Sequence, residues 1–109
     1  MPTTHYKKLV RDKIPEVIAA KGGRPVTRIL PPDEYARVLR DKLREEADET
    51  VGAQTYDALV GELADVLEVV RALQKVNGIS DENLEAVRAK KFADRGGFDG
   101  RVYLESVEE

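Results

Sequence analysis

Apolar residues recur at helical spacing over two long stretches of the chain. In the first, Tyr35, Val38, Leu39 and Leu43 share an arc of roughly 140° at about 100° per residue. The pattern predicts a helix from Asp33 to about Val51. Asp33 and Glu34 suit its positive N-terminal end, and Gly52 suits its stop. In the second stretch Leu59, Leu63, Val66, Leu67, Val69, Val70 and Leu73 form a broad stripe. It predicts a helix from about Tyr56 to Val76, ended by Asn77-Gly78. A third helix begins after Ser80 as N-cap, carries Asp81 and Glu82 in its first turn, and ends near Gly96-Gly97.

The remaining segments are shorter. Tyr6 to Ala20 is basic and then apolar, and Pro15 fits there only in the first turn of a short helix. Lys21-Gly22-Gly23-Arg24-Pro25 signals a turn. Val26 to Leu30 reads as a short extended piece closed by Pro31-Pro32, and the turn-rich Phe98 to Leu104 as a tail with a short strand. No repeat, low-complexity run or long linker interrupts the chain. The expectation is one mainly all-α domain over residues 1–109, built around an antiparallel helix hairpin.

The charged positions break this pattern. Glu46 and Glu49 project inside the apolar arc of the first long helix, joined by Lys42, with Glu45 at its edge. Asp41 and Asp48 point away. On the second helix Glu62 falls within the stripe and Asp65 at its margin. In a hairpin turning between Thr55 and Tyr56, Glu49 lies opposite Glu62 and Glu46 opposite Asp65, with each pair spaced i, i+3 along its helix. A solvated face is the ordinary reading of EExxE on one helix. The matching ExxD in register on the next helix weighs against it. Unpaired buried carboxylates are costly and close ones repel, so four at a core-facing seam require a cation. Oxygen-only ligands select hard ions such as Mg²⁺, Mn²⁺ or Ca²⁺.

Composition narrows the alternatives. The 109 residues include no Cys, which removes disulfides, thiolate metal sites and cysteine nucleophiles, and a single His argues against a His-based triad. No apolar run reaches the roughly 18–20 residues that cross a bilayer, and the opening MPTTHYKKLV lacks a signal-peptide core, so a cytoplasmic, non-membrane protein is expected. A net charge of −3 gives no basic footprint for a nucleic-acid polymer. Charged residues make up 36%, above the roughly 25% of an ordinary domain. That excess makes the placement of the acids informative. No GxxxxGK[ST] is present, so a P-loop is excluded.

The acidic motif carries a family resemblance. Glu45-Glu46-Ala47-Asp48-Glu49, followed after twelve residues by Glu62-Leu63-Ala64-Asp65, resembles the EExxE…ExxD signature of the MazG-like all-α nucleoside triphosphate pyrophosphohydrolases. Lys8-Leu9-Val10-Arg11-Asp12-Lys13-Ile14-Pro15 and Arg95-Gly96-Gly97-Phe98 resemble the KLVRDKIP and RGGF segments of a subgroup labelled phosphoribosyl-ATP pyrophosphohydrolase-like. The resemblance implies a MazG-like helical bundle, homodimeric or homotetrameric. It implies Mg²⁺ (or Mn²⁺) held by Glu46, Glu49, Glu62 and Asp65, with Glu45 binding or orienting water beside the catalytic Glu46 and Glu49. The implied reaction cleaves a nucleoside triphosphate between its α and β phosphates. The alternatives are phosphoribosyl-ATP hydrolysis in histidine biosynthesis and a non-catalytic helical metal- or nucleotide-binding oligomerisation module.

A triphosphate would need cationic donors beyond the metal. The candidates are Lys91 and Arg95 at i, i+4 before the Gly-Gly turn, Lys8 and Arg11 near the N-terminus, and Lys42 one turn before Glu46. Among the aromatics, Tyr35 and Phe92 sit at apolar helical spacing and are expected in the core. Tyr56, Phe98 and Tyr103 are left as candidates for base stacking, and His5 is expected to be exposed.

Overall fold

A computed structural model describes residues 2–108. Four helices follow one another: α1 (Ile14–Ala20), α2 (Pro32–Gly52), α3 (Tyr56–Asn77) and α4 (Asp81–Arg95). The described residues form no strand, so the chain is all-α. It divides into two compact units, one ending at Asn77 and the other beginning at Gly78.

In the first unit, punctuation residues set the helix ends. Pro15 stands in the first turn of α1, where an absent N–H removes no helical bond. The chain leaves α1 through Gly22 at φ +90°, a left-handed turn that glycine adopts without strain. Extended Pro31 precedes α2, Pro32 stands in its first turn, and the Tyr35 N–H donates to the Pro31 carbonyl at 2.9 Å. At the far end the Ala53 N–H donates to the Thr50 carbonyl at 3.2 Å, and the backbone turns extended. Thr55 then caps α3, its hydroxyl accepting from the Ala58 N–H at 3.1 Å. Only residues 53–55 separate the two long helices, which pack against each other as an antiparallel hairpin.

The seam of this hairpin buries Leu39 of α2 (2% exposed) and Val69 of α3 (8% exposed). Tyr35, Val38 and Leu43 flank it from α2, and Val66, Val70 and Leu73 from α3, all half-buried. The broad stripe expected on α3 therefore divides. Leu59, Leu63 and Leu67 stay exposed, Leu67 at 59%. One partner helix covers a single seam, and this stripe is wider than a seam.

The second unit carries α4. Ser80 caps it, accepting from the Asn83 N–H at 3.0 Å, and Gly96 at φ +80° ends it. Arg88 pairs with Glu85 and Lys90 with Asp94 along its surface. Phe92 is 57% exposed, which corrects the expectation that it packs in a core: its apolar spacing marks a face of α4 that the chain does not bury. Phe98 to Leu104 contains a turn closed by the Arg101 N–H on the Phe98 carbonyl, and no strand. Val26 to Leu30 likewise forms no strand. A ladder needs a neighbour to exchange hydrogen bonds, and Val26 and Ile29 stand almost wholly exposed. Among the described residues no helix is long and apolar enough to cross a membrane.

Candidate metal centre

The acids of the hairpin come from consecutive turns of α2 and the facing turns of α3. Glu46 and Glu49 occupy the last two turns of α2, where the Thr50 hydroxyl donates back to the Glu46 carbonyl at 2.8 Å. Glu62 and Asp65 occupy the second and third turns of α3. Carboxylate oxygens of Glu46, Glu49 and Glu62, one from each, lie within 4.8 Å of one another. The antiparallel register inferred from the acid spacing thus gathers three of the four expected ligands.

Burial within this group is uneven. Glu46 is 6% exposed, Glu62 is half-buried, and Glu49 is open to solvent. Lys42, one turn earlier on α2, sits 3.3 Å from Glu46 Oε1 and 3.4 Å from Glu45 Oε2. It satisfies one edge of the Glu46 carboxylate. Glu46 Oε2 and Glu62 Oε2 are both buried without a hydrogen-bond partner among the described residues. Desolvation pushes the Glu46 carboxyl above its usual range. The Lys42 ammonium opposes that shift, while the neighbouring Glu49 and Asp65 carboxylates reinforce it.

Asp65, the fourth expected ligand, is held elsewhere. Arg11 reaches it from the segment before α1, with Nη2 2.5 Å from Oδ1. Lys8 of the same segment lies 3.7 Å from Glu45 Oε1. With Lys42, three of the five candidate cations are therefore counterions of the acidic seam, across 54 residues of sequence in the case of Arg11. Nothing in the spacing of the N-terminal motif reports where it docks. The only sequence signal was its run of basic residues in a chain of net negative charge.

Lys91 and Arg95 lie on α4, in the second unit. Glu45 is half-buried between Lys8 and Lys42, at the edge of the arc as its position on the helix implies. Asp41, Asp48, Arg37, Arg40 and Arg44 are exposed surface charge.

This donor set fits a hard divalent cation. All its ligand atoms are oxygens, and ligands at about 2.0–2.6 Å from such an ion span about 4–5 Å, near the spread of the three glutamates. Two of the carboxylates also carry a buried lone oxygen that no described residue satisfies. What the arrangement offers chemically is a patch of excess negative charge at one side of a helix seam, edged by Lys8, Arg11 and Lys42.

No family model matches the chain, and no solved structure matches it. Over 51 residues, 47% of its length, the chain is 53% identical to a protein of Mycolicibacterium smegmatis described as uncharacterized. The match covers 52% of that protein, so the chain spans about half the length of the curated relative it matches. The similarity attaches no activity to either.

Proposed function

We propose that the chain is a Mg²⁺-dependent nucleotide pyrophosphohydrolase of the MazG-like kind, cleaving a nucleoside triphosphate to a monophosphate and pyrophosphate. The observation that carries this reading is the buried, partnerless Oε2 of Glu46 within reach of Glu49 and Glu62. A helix seam that only needed packing would hold an apolar residue there, because an unsatisfied buried oxygen costs about 1–3 kcal/mol. A cation removes that cost, and the acidic motif on both helices matches the one that the resemblance associates with nucleotide hydrolysis.

In this reading Glu46, Glu49, Glu62 and Asp65 hold the metal, Mg²⁺ or Mn²⁺. Bound there, it would neutralise phosphate charge and favour attack by water on phosphorus. Glu45, half-buried at the edge of the cluster, orients the attacking water. Lys42 and Lys8 lie against the same acids and face the incoming polyphosphate as point charges, and Arg11 offers the planar fork that binds phosphate oxygens in pairs. Lys91 and Arg95, in the second unit, are phosphate-donor candidates on their sequence spacing alone. The exposed Leu59, Leu63 and Leu67 of α3 support a homodimer or homotetramer in which a second copy covers that face.

The test is product analysis with a panel of ribo- and deoxynucleoside triphosphates in Mg²⁺, with phosphoribosyl-ATP assayed beside them. Pyrophosphate release that disappears in Glu49→Gln and Asp65→Asn is the expected result. Orthophosphate release instead, or undiminished turnover in those variants, overturns it.

A further inference from the structure

The N-terminal segment is bound to the acidic seam at two points. Lys8 approaches Glu45 on α2, and Arg11 closes on Asp65 on α3, so one short non-helical stretch bridges both helices of the hairpin. Between the first of these anchors and Tyr6, whose ring lies 5.7 Å from the Lys8 ammonium, Lys7 takes φ +48°. L-residues avoid that region unless their surroundings impose it. Helix α1 follows directly, tied to the segment by the Ile14 N–H on the Arg11 carbonyl.

The contacts are those of counterions rather than of a core. The Arg11 and Asp65 side chains are 56% and 38% exposed, and exposed ion pairs contribute little to stability and are readily exchanged. Asp65 stands one helical turn from Glu62 on α3, and its charge is felt by the buried Glu46. Arg11 therefore neutralises a carboxylate adjoining the group whose buried oxygens lack partners.

We propose that Arg11 is a cation-displaceable latch: a divalent ion entering the Glu46–Glu49–Glu62 group takes Asp65 from Arg11, and the freed guanidinium turns to the substrate's phosphates. This rests on the reading of the acidic group as a metal site. It adds a coupling between metal loading and the order of the N-terminal segment. A displaced ammonium would be only a point charge, whereas a displaced guanidinium keeps a fork that matches two phosphate oxygens. The latch holds the N-terminal segment over the acids in the metal-free protein, and exchange of one cation for another opens it.

The experiment combines three readouts on the full chain. The sequence contains no cysteine, so Thr4→Cys gives a single spin-label site on the segment. Addition of Mg²⁺ is expected to increase label mobility in the otherwise unaltered chain, and to have a smaller effect in Arg11→Gln, where only the Lys8–Glu45 contact still holds the segment. Calorimetric titration with Mg²⁺ alone is expected to show Arg11→Gln binding about two- to fivefold more tightly, the scale set by loss of one competing exposed ion pair. A non-hydrolysable nucleoside triphosphate analogue at saturating Mg²⁺ is expected to bind Arg11→Gln more weakly. A purely structural arginine would not move metal and nucleotide affinity in opposite directions. If the unaltered chain binds Mg²⁺ while label mobility stays constant and Arg11→Gln binds no more tightly, the latch is overturned and the metal site stands. If the unaltered chain binds no divalent cation, the metal-site reading fails and the latch fails with it.

Discussion

Glu46→Gln is expected to stabilise the metal-free protein. The side chain is 7% exposed, Oε1 faces Lys42 at 3.3 Å, and Oε2 is buried with no partner. Leaving such an atom unsatisfied costs about 1–3 kcal/mol, and the negative charge is further disfavoured by Glu49 and Asp65. Glutamine has the same shape. Its carbonyl still accepts from Lys42, and its amide places a donor among the acceptor oxygens of Glu49 and Glu62, whose atoms lie within 4.8 Å. Against this stands the loss of charge pairing with Lys42, about 0.5–1 kcal/mol because the ammonium keeps Glu45 as a second partner at 3.4 Å. The net gain is about 1 kcal/mol, which for a chain of this size raises Tm by about 4–8 °C.

Saturating metal should reverse the order. A ligand that binds only the folded state at 100 times its Kd adds about 2.7 kcal/mol. The unaltered chain receives that increment, and a variant lacking the central buried charge receives much less. The assay is thermal unfolding by circular dichroism at one fixed protomer concentration, in chelator and across a Mg²⁺ titration. The two melting curves should cross as Mg²⁺ rises. A lower Tm for Glu46→Gln in chelator would mean that the buried charge is already satisfied without a cation. Equal stabilisation of both proteins by Mg²⁺ would mean that Glu46 is no ligand. Either result refutes the reasoning.

Three further outcomes are expected. The folded-state value of Glu46 lies above its usual 4.5, so between the two the folded chain holds more protons than the unfolded one and stability falls as pH rises through that window. The stability advantage of Glu46→Gln should therefore shrink as metal-free melts are repeated at pH values descending towards 4.5, and Mg²⁺ affinity should weaken over the same range as protons compete for the site. Ser80→Ala removes the acceptor of the Asn83 N–H and should cost about 1 kcal/mol, seen as faster amide exchange in the first turn of α4; unchanged exchange would show the cap to be dispensable. Leu67→Glu places a charge on the exposed face of α3 and should convert a homo-oligomer to a monomer by light scattering. An unaltered chain already monomeric at tens of micromolar would remove the oligomer from the proposal.

The parts of this molecule legible in its sequence are those set by local chemistry. Pro32, Gly52, Thr55, Ser80 and Gly96 lie at or beside the observed helix ends, because each acts through the backbone of its own turn. The meeting of Glu49 with Glu62 was legible for a related reason: once a three-residue connection fixes two helices as antiparallel, spacing alone assigns opposite positions. Asp65 shows where this kind of inference ends. Its partner Arg11 lies 54 residues away in a segment with no periodicity, so no pattern reports the contact. The apolar spacing of Leu63, Leu67 and Phe92 marks apolar helix faces that the chain itself leaves exposed, since periodicity says which side of a helix is apolar and not what covers it.

The acidic seam and the uncovered face of α3 bear on one another. A hairpin whose buried apolar residues are Leu39 and Val69 has little cohesion to spare. Yet Glu46, on the same seam, uses a nearly inaccessible position for a carboxylate. An apolar residue there would add about 1.5–3 kcal/mol of burial, a large fraction of what a small domain has in total. That loss is tolerable only if stability comes from association, and two sources are consistent with the geometry: a cation between the carboxylates, and a protein surface over Leu59, Leu63 and Leu67. Both act by mass action on the folded state. The dependence on metal should therefore be steepest in dilute protein, where assembly contributes least, and should flatten as protomer concentration rises.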